Sequence, residues 1–163
     1  MIYKNSILTL ISLLCFLSLK AKENEIKFPI IQLLKIDSSS ILTNDEIEDN
    51  KKTVFINFSP TCDHCQRTIK SILDNIFKFT NTQFILSSFE SLTSIRQFYF
   101  DYGLSSYTTV FIGQEIDYTL TKQIQYSSFP CLILFDENKQ FIKKIDEESD
   151  AKKLLKALHI KTK

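Results

Sequence analysis

Two cysteines three apart, Cys62 and Cys65, end the stretch "FINFSPTCDHC" (55–65). Such a pair is open to metal ligation, to a structural disulfide or to reversible thiol–disulfide exchange. A structural zinc site needs four ligands, and past the N-terminal leader the other Cys or His candidates are Cys131, His64 and His159. His64 lies inside the pair and His159 near the end of the chain, so the set is poorly suited to one tetrahedron. A structural disulfide would close a very small loop and restrict the unfolded chain little. Exchange asks for a sulfur stabilised as a thiolate and a second one placed to attack it from behind.

The elements around the pair supply that arrangement. "TVFINF" (53–58) is β-branched or apolar at nearly every position, as a central strand buried on both faces would be. From Cys62 the period changes to 3.6, with Cys65, Ile69, Ile72, Leu73, Ile76 and Phe77 on one helical stripe. A strand therefore feeds a helix at the cysteines. Cys62 then stands at the helix start, where unpaired N–H groups and the positive end of the dipole favour a thiolate, and Cys65 faces inward one turn on.

Before the pair, "FPIIQLLKID" (28–37) reads as a strand ending in an Asp-Ser turn, and "TNDEIEDNKK" (43–52) as a polar connection. After it come a strand at 82–88, then a helix capped by Ser91 with Leu92, Ile95, Phe98, Tyr99 and Tyr102 inward and Gly103 past its end. A short strand is expected at 108–113 and a short helix at 118–126. "FPCLILFDENKQFIKKI" (129–145) reads as two strands joined at Asp136 to Lys139, with Asn138 taking the positive φ. An amphipathic helix at 149–160 buries Ala151, Leu154, Leu155 and Leu158. The expected fold class is α/β, a mixed sheet with helices packed on it.

With these residues in view, "TVFINFSPTCDHC", "SSFPCLILFDENKQFIKKI" and "FPIIQLLKIDSSSILTNDEIEDNKK" together resemble the thioredoxin family, and within it the secreted TlpA-like branch. The likeness spans nearly the whole chain after the leader. It implies a thioredoxin-like mixed sheet flanked by helices, with an N-terminal strand extension and an insertion at about 92–128 before the proline strand. It also implies that Pro130, after Phe129, matches the family's cis proline packed against the active-site disulfide. The implied activity is thiol–disulfide exchange with protein thiols or disulfides, without a cofactor, and a separate redox partner that resets the pair.

Two departures stand out. Thr61 occupies the place before the first cysteine where family members commonly carry Trp, and no carboxylate lies between Thr53 and Thr61 where they often carry a buried acid. Whichever of Ile56 or Asn57 takes the acid's position, the group there cannot ionise. Of the neighbours, His64 is expected to offer Cys62 a hydrogen bond or positive charge, while Asp63 complements the helix dipole. Cys131 is expected to pack as a small hydrophobe, and Arg67 and Arg96 to face solvent. The catalytic set read from the sequence is thus Cys62, Cys65, His64 and Pro130, with no metal.

The rest of the chain bounds the setting. Its 163 residues, 44% of them hydrophobic, suffice for one domain with an ordinary core. The 20 basic and 19 acidic residues nearly cancel, which argues against nucleic acid as partner. With two glycines in the chain, Asn, Asp and Ser must make most turns. Lys4, the apolar run Ile7 to Leu19 and the small residue Ala21 read as a secretory signal at 1–21, leaving the thioredoxin-like domain at 22–163. The run is short for a membrane span, and "SLLC" before Cys15 departs from a lipobox. Membrane association is therefore expected only if that segment stays uncleaved or is lipidated. Secretion across the inner membrane to the periplasm or cell envelope follows, a compartment where disulfides persist. Two other functions share the fold: copper handling through soft thiolates, and a binding module that has lost turnover. "SPTC" lacks the longer spacing of a peroxidase motif.

Overall fold

The computed structural model describes residues 26–160, so the expected leader and Cys15 lie outside them. Seven strands form one sheet in the order β2-β1-β5-β4-β3-β6-β7. They are β1 (Gln32–Lys35), β2 (Ile41–Thr43), β3 (Lys52–Asn57), β4 (Thr82–Ser88), β5 (Val110–Glu115), β6 (Cys131–Phe135) and β7 (Phe141–Ile145). β3, β4 and β5 run parallel, whereas β1 on β5, β6 on β3 and β7 on β6 are antiparallel. Among the described residues four α-helices complete it: α1 (Asp63–Leu73), α2 (Leu92–Asp101), α3 (Thr119–Gln123) and α4 (Ala151–Ala157).

β3 is central. From Thr53 to Asn57 every residue is buried, as its unbroken apolar run requires. Alternate residues serve two cores. Val54, Ile56 and Phe58 join Cys65, Ile69, Ile95, Phe98, Leu154 and Leu155 under α1, α2 and α4. Phe55 joins Leu33, Leu120, Ile124, Cys131, Ile133 and Phe135 on the other face. That second face is closed by the N-terminal segment, where the Phe28 ring meets Phe135 at 5.0 Å and Phe55 at 5.4 Å, both edge-on. Each such aromatic pair adds about 0.5–1.5 kcal/mol beyond its buried area.

The structure departs from the sequence expectations at element ends. The first strand is four residues long and turns back into β2, because the Asp37 carboxylate accepts the N–H groups of Ser39 (2.8 Å) and Ser40 (2.9 Å). α1 stops at Leu73. Ile76 falls on a separate turn and Phe77, expected inward, is 75% exposed. In the β6–β7 turn the positive φ belongs to Lys139, not Asn138, because Asp136 accepts from the N–H of both Asn138 and Gln140. One glycine is dictated by close approach: a Cβ on Gly113 would lie 2.8 Å from both Leu33 Cβ and the Leu34 carbonyl oxygen, where β1 crosses β5.

Candidate active site

The loop from β3 to α1 is a tight turn. Cys62 N–H donates to the Ser59 carbonyl at 3.1 Å, and the Cys62 carbonyl accepts from Gln66 N–H at 3.0 Å as the first helical bond. Cys62 is therefore the N-cap of α1, with extended backbone and a side chain that caps nothing. The Gln66 amide closes the loop by donating to Pro60 O at 2.8 Å. Beside this loop Ser59 Oγ reaches Glu90 at 3.2 Å, which joins it to the segment after β4.

The two sulfurs differ as expected. Cys62 is half-buried and Cys65 fully buried, and both are free thiols. Burial pushes the Cys65 thiol up to about 12, and contact with Cys62 adds to the rise against the Ser59 backbone, which lowers it. Cys65 is thus a thiol at neutral pH, held back until something draws its proton.

Pro130 directly precedes β6, whose start lies beside the end of β3. The antiparallel register sets Asn57 opposite Cys131, so the loop before β6 leaves the sheet at the same end as the loop leading to Cys62. The Phe129–Pro130 bond is cis, and Phe129 packs on the same core as Cys62. Ser128 Oγ donates to Asp146 O at 2.6 Å and ties this loop to the end of β7. Cys131 is fully buried in β6, in line with a packing role, and burial raises its thiol further still.

The alternation of β3 puts Ile56 and Asn57 on opposite faces of the sheet. Ile56 faces the core that holds Cys65, while Asn57 faces that of Cys131. Asn57 and Ser87 pair across β3 and β4, and together with the Tyr126 hydroxyl they bring buried polar atoms that lack hydrogen-bond partners of normal geometry. Ile56 gives Cys65 an apolar wall.

His64 is drawn away from the role expected of it. Its Nδ1 lies 2.6 Å from Glu148 Oε2, and its hydrogen bonds run to Glu148 and Arg67, none to Cys62. Arg67 is not a plain solvent-facing residue: Nε and Nη2 each reach the Glu148 carboxylate at 2.7 Å. Arg96 likewise turns inward, donating to Ile36 O at 2.6 Å. Glu148 went unread in the sequence because "DEESD" before a helix has the look of ordinary dipole-complementing acid. Among the described residues no three His, Cys, Asp or Glu side chains are grouped to hold a metal ion.

With this geometry in place, known structures supply the fold. The chain aligns with a protein from Neisseria meningitidis provisionally described as a thioredoxin, at 20% identity over 84% of this chain and 89% of that one, TM-score 0.66. It aligns with a thioredoxin-family thiol:disulfide interchange protein from Chlorobium tepidum at 12% identity over 85% and 97%, TM-score 0.65. A secreted disulfide oxidoreductase from Mycobacterium tuberculosis, homologous to E. coli DsbE, aligns at 12% identity over 84% and 98%, TM-score 0.62. No family model and no curated protein matches the sequence. The chain has the thioredoxin-like α/β fold, with an N-terminal extension.

Proposed function

We propose that the protein is a thiol–disulfide oxidoreductase of the cell envelope that exchanges disulfides with other proteins. The observation that carries this is the pairing of a half-exposed Cys62 at the start of α1 with a buried Cys65 in contact with it. The Cys62 thiolate attacks a substrate disulfide, forming a mixed disulfide and releasing one substrate thiolate. Cys65 then loses its proton and attacks the Cys62 sulfur, which releases the second substrate thiolate and leaves Cys62–Cys65 oxidised. Two electrons have passed to the substrate, and a further thiol partner must reset the pair. Run backwards, the same steps oxidise a dithiol substrate.

The apolar wall of Ile56 and the high Cys65 thiol favour a slow second step, so a mixed disulfide should be long-lived. The leader 1–21 supports an envelope location for a domain spanning 22–163, and the Mycobacterium tuberculosis neighbour is described as secreted. The test is to incubate reduced wild type, Cys62→Ser and Cys65→Ser with a disulfide-containing protein and resolve the products without reductant. Cys62→Ser should form no adduct, and Cys65→Ser should accumulate one on Cys62. An adduct on Cys65 in the wild type would reverse the assignment, and no adduct at all would leave a binding module.

A further inference from the structure

β3 and β4 run in parallel register with Asn57 opposite Ser87, so the segments that leave their ends leave side by side. Phe58 N–H still donates to the Ser87 carbonyl at 3.0 Å. Beyond it Ser59 Oγ donates to Glu90 Oε1 at 3.2 Å. Glu90 is itself held at both ends of its main chain. Its N–H donates to Ser88 Oγ at 3.2 Å, and its carbonyl accepts from Gln114 Nε2 of β5 at 3.0 Å. The carboxylate is therefore carried on a fixed backbone.

Proton counting then orders the hydroxyls. A serine hydroxyl has one proton to give, and that of Ser59 goes to Glu90. Thr61 Oγ1 lies 3.2 Å from Ser59 Oγ, so in that contact Thr61 is the donor. A chain of two hydrogen bonds thus runs from Thr61 through Ser59 to Glu90. It spans the turn whose main chain is closed by Cys62 N–H on the Ser59 carbonyl at 3.1 Å. Ser59 serves the second cysteine as well, because a main-chain hydrogen bond from it reaches the Cys65 sulfur and favours the thiolate there. One residue touches both halves of the pair, and an acid from the end of the neighbouring strand anchors its side chain.

We propose that Glu90 is a positioning residue for the exchange reaction: by holding the Ser59 hydroxyl it keeps the Ser59 main chain against Cys65 and so speeds the step in which Cys65 attacks. The proposal rests on reading Cys62 and Cys65 as an exchange pair. In that step Cys65 gives its proton to water, and its thiolate attacks the Cys62 sulfur of the mixed disulfide. The Cys62–Cys65 bond forms, the bond from Cys62 to the substrate sulfur breaks, and the substrate leaves as a thiolate that takes a proton from water. Protons and electrons balance with no further reactant. Ile56 offers the Cys65 thiolate nothing, so the loss of a main-chain donor should be felt in this step.

The experiment mixes the reduced full chain with glutathione disulfide, quenches with acid and follows the Cys62–glutathione adduct by mass. Formation of the adduct and its loss to Cys65 are then timed separately. In Glu90→Ala the adduct should form at the wild-type rate and disappear about two- to ten-fold more slowly, the span of one hydrogen bond. Glu90→Gln keeps an acceptor oxygen for Ser59 and should resolve the adduct at close to the wild-type rate. Ser59→Ala should show the same loss as Glu90→Ala, and the double variant no more. Equal slowing of both steps, Glu90→Gln as slow as Glu90→Ala, or additive losses in the double variant would overturn the proposal. A wild type that forms no adduct would sink the exchange reading, and the positioning role with it. A wild type that exchanges, with adduct loss unchanged or faster in Glu90→Ala, would sink the positioning role alone.

Discussion

Ser149 donates its backbone N–H to Thr68 Oγ1 at 3.1 Å, both residues almost wholly buried where the start of α4 meets α1. Thr68→Val keeps the shape and removes the acceptor, leaving a buried N–H unpaired at a cost of about 1–3 kcal/mol. The urea midpoint should fall by the corresponding amount, and Thr68→Ser should keep most of the lost stability. An unchanged midpoint in the valine variant would show that this seam does not hold α4 to α1.

The Cys65 thiol gives the reduced protein a pH dependence whose sign is fixed. Its value rises from the usual 9.0 to about 12 on folding, chiefly through burial. Between those values the unfolded chain has lost the proton that the folded chain keeps, so stability falls as pH rises. Its contribution is intact below about pH 9 and is lost progressively toward about 12. Urea unfolding of the reduced wild type against Cys65→Ala isolates this contribution, and the difference between the two should shrink across that window. Alkylation at neutral pH, below that window, should mark Cys62 and spare Cys65.

The parts of this molecule legible in the sequence are those that depend on near neighbours. The unbroken β3 run, the switch to helical period at Cys62 and the strand opened by Pro130 were all readable, because burial and periodicity are written locally. Ile76 and Phe77 continued the apolar stripe on paper, but the helix ends at Leu73 and Phe77 is left outside. β2 was missed since three residues carry no period. Glu148 was invisible for a different reason. It meets His64 across 84 positions, and an acid that completes a distant imidazole is written like one that faces water.

Gly113 tests the extension that sets this chain apart from a minimal five-stranded core. A Cβ there would sit 2.8 Å from the Leu34 backbone oxygen, which cannot move aside as a side chain would. Gly113→Ala should therefore destabilise by about 1–3 kcal/mol, in the range of overpacking. Hydrogen exchange should localise the loss to β1 and β2, with β3 and β6 still protected. A uniform loss across the sheet would mean that the extension is integral to the main core.

A last prediction concerns how a protein substrate is told from a small one. Phe89 and Tyr118 are 41% and 56% exposed, and their rings meet at 5.9 Å. Phe89 also meets Phe129, the residue before Pro130, at 5.5 Å. This aromatic row starts at the loop before β6 and runs onto the segment after β5, where Asp117 and Tyr118 both take positive φ. Exposed rings add little to the core, so Phe89→Ser with Tyr118→Ser should change stability by less than about 0.5 kcal/mol per site. Exchange with a disulfide-bearing unfolded protein should slow several-fold through a raised KM, while the rate with glutathione disulfide stays as it was. Equal slowing with both substrates would place the rings in the support of Cys62 itself, and no slowing with either would remove them from substrate contact.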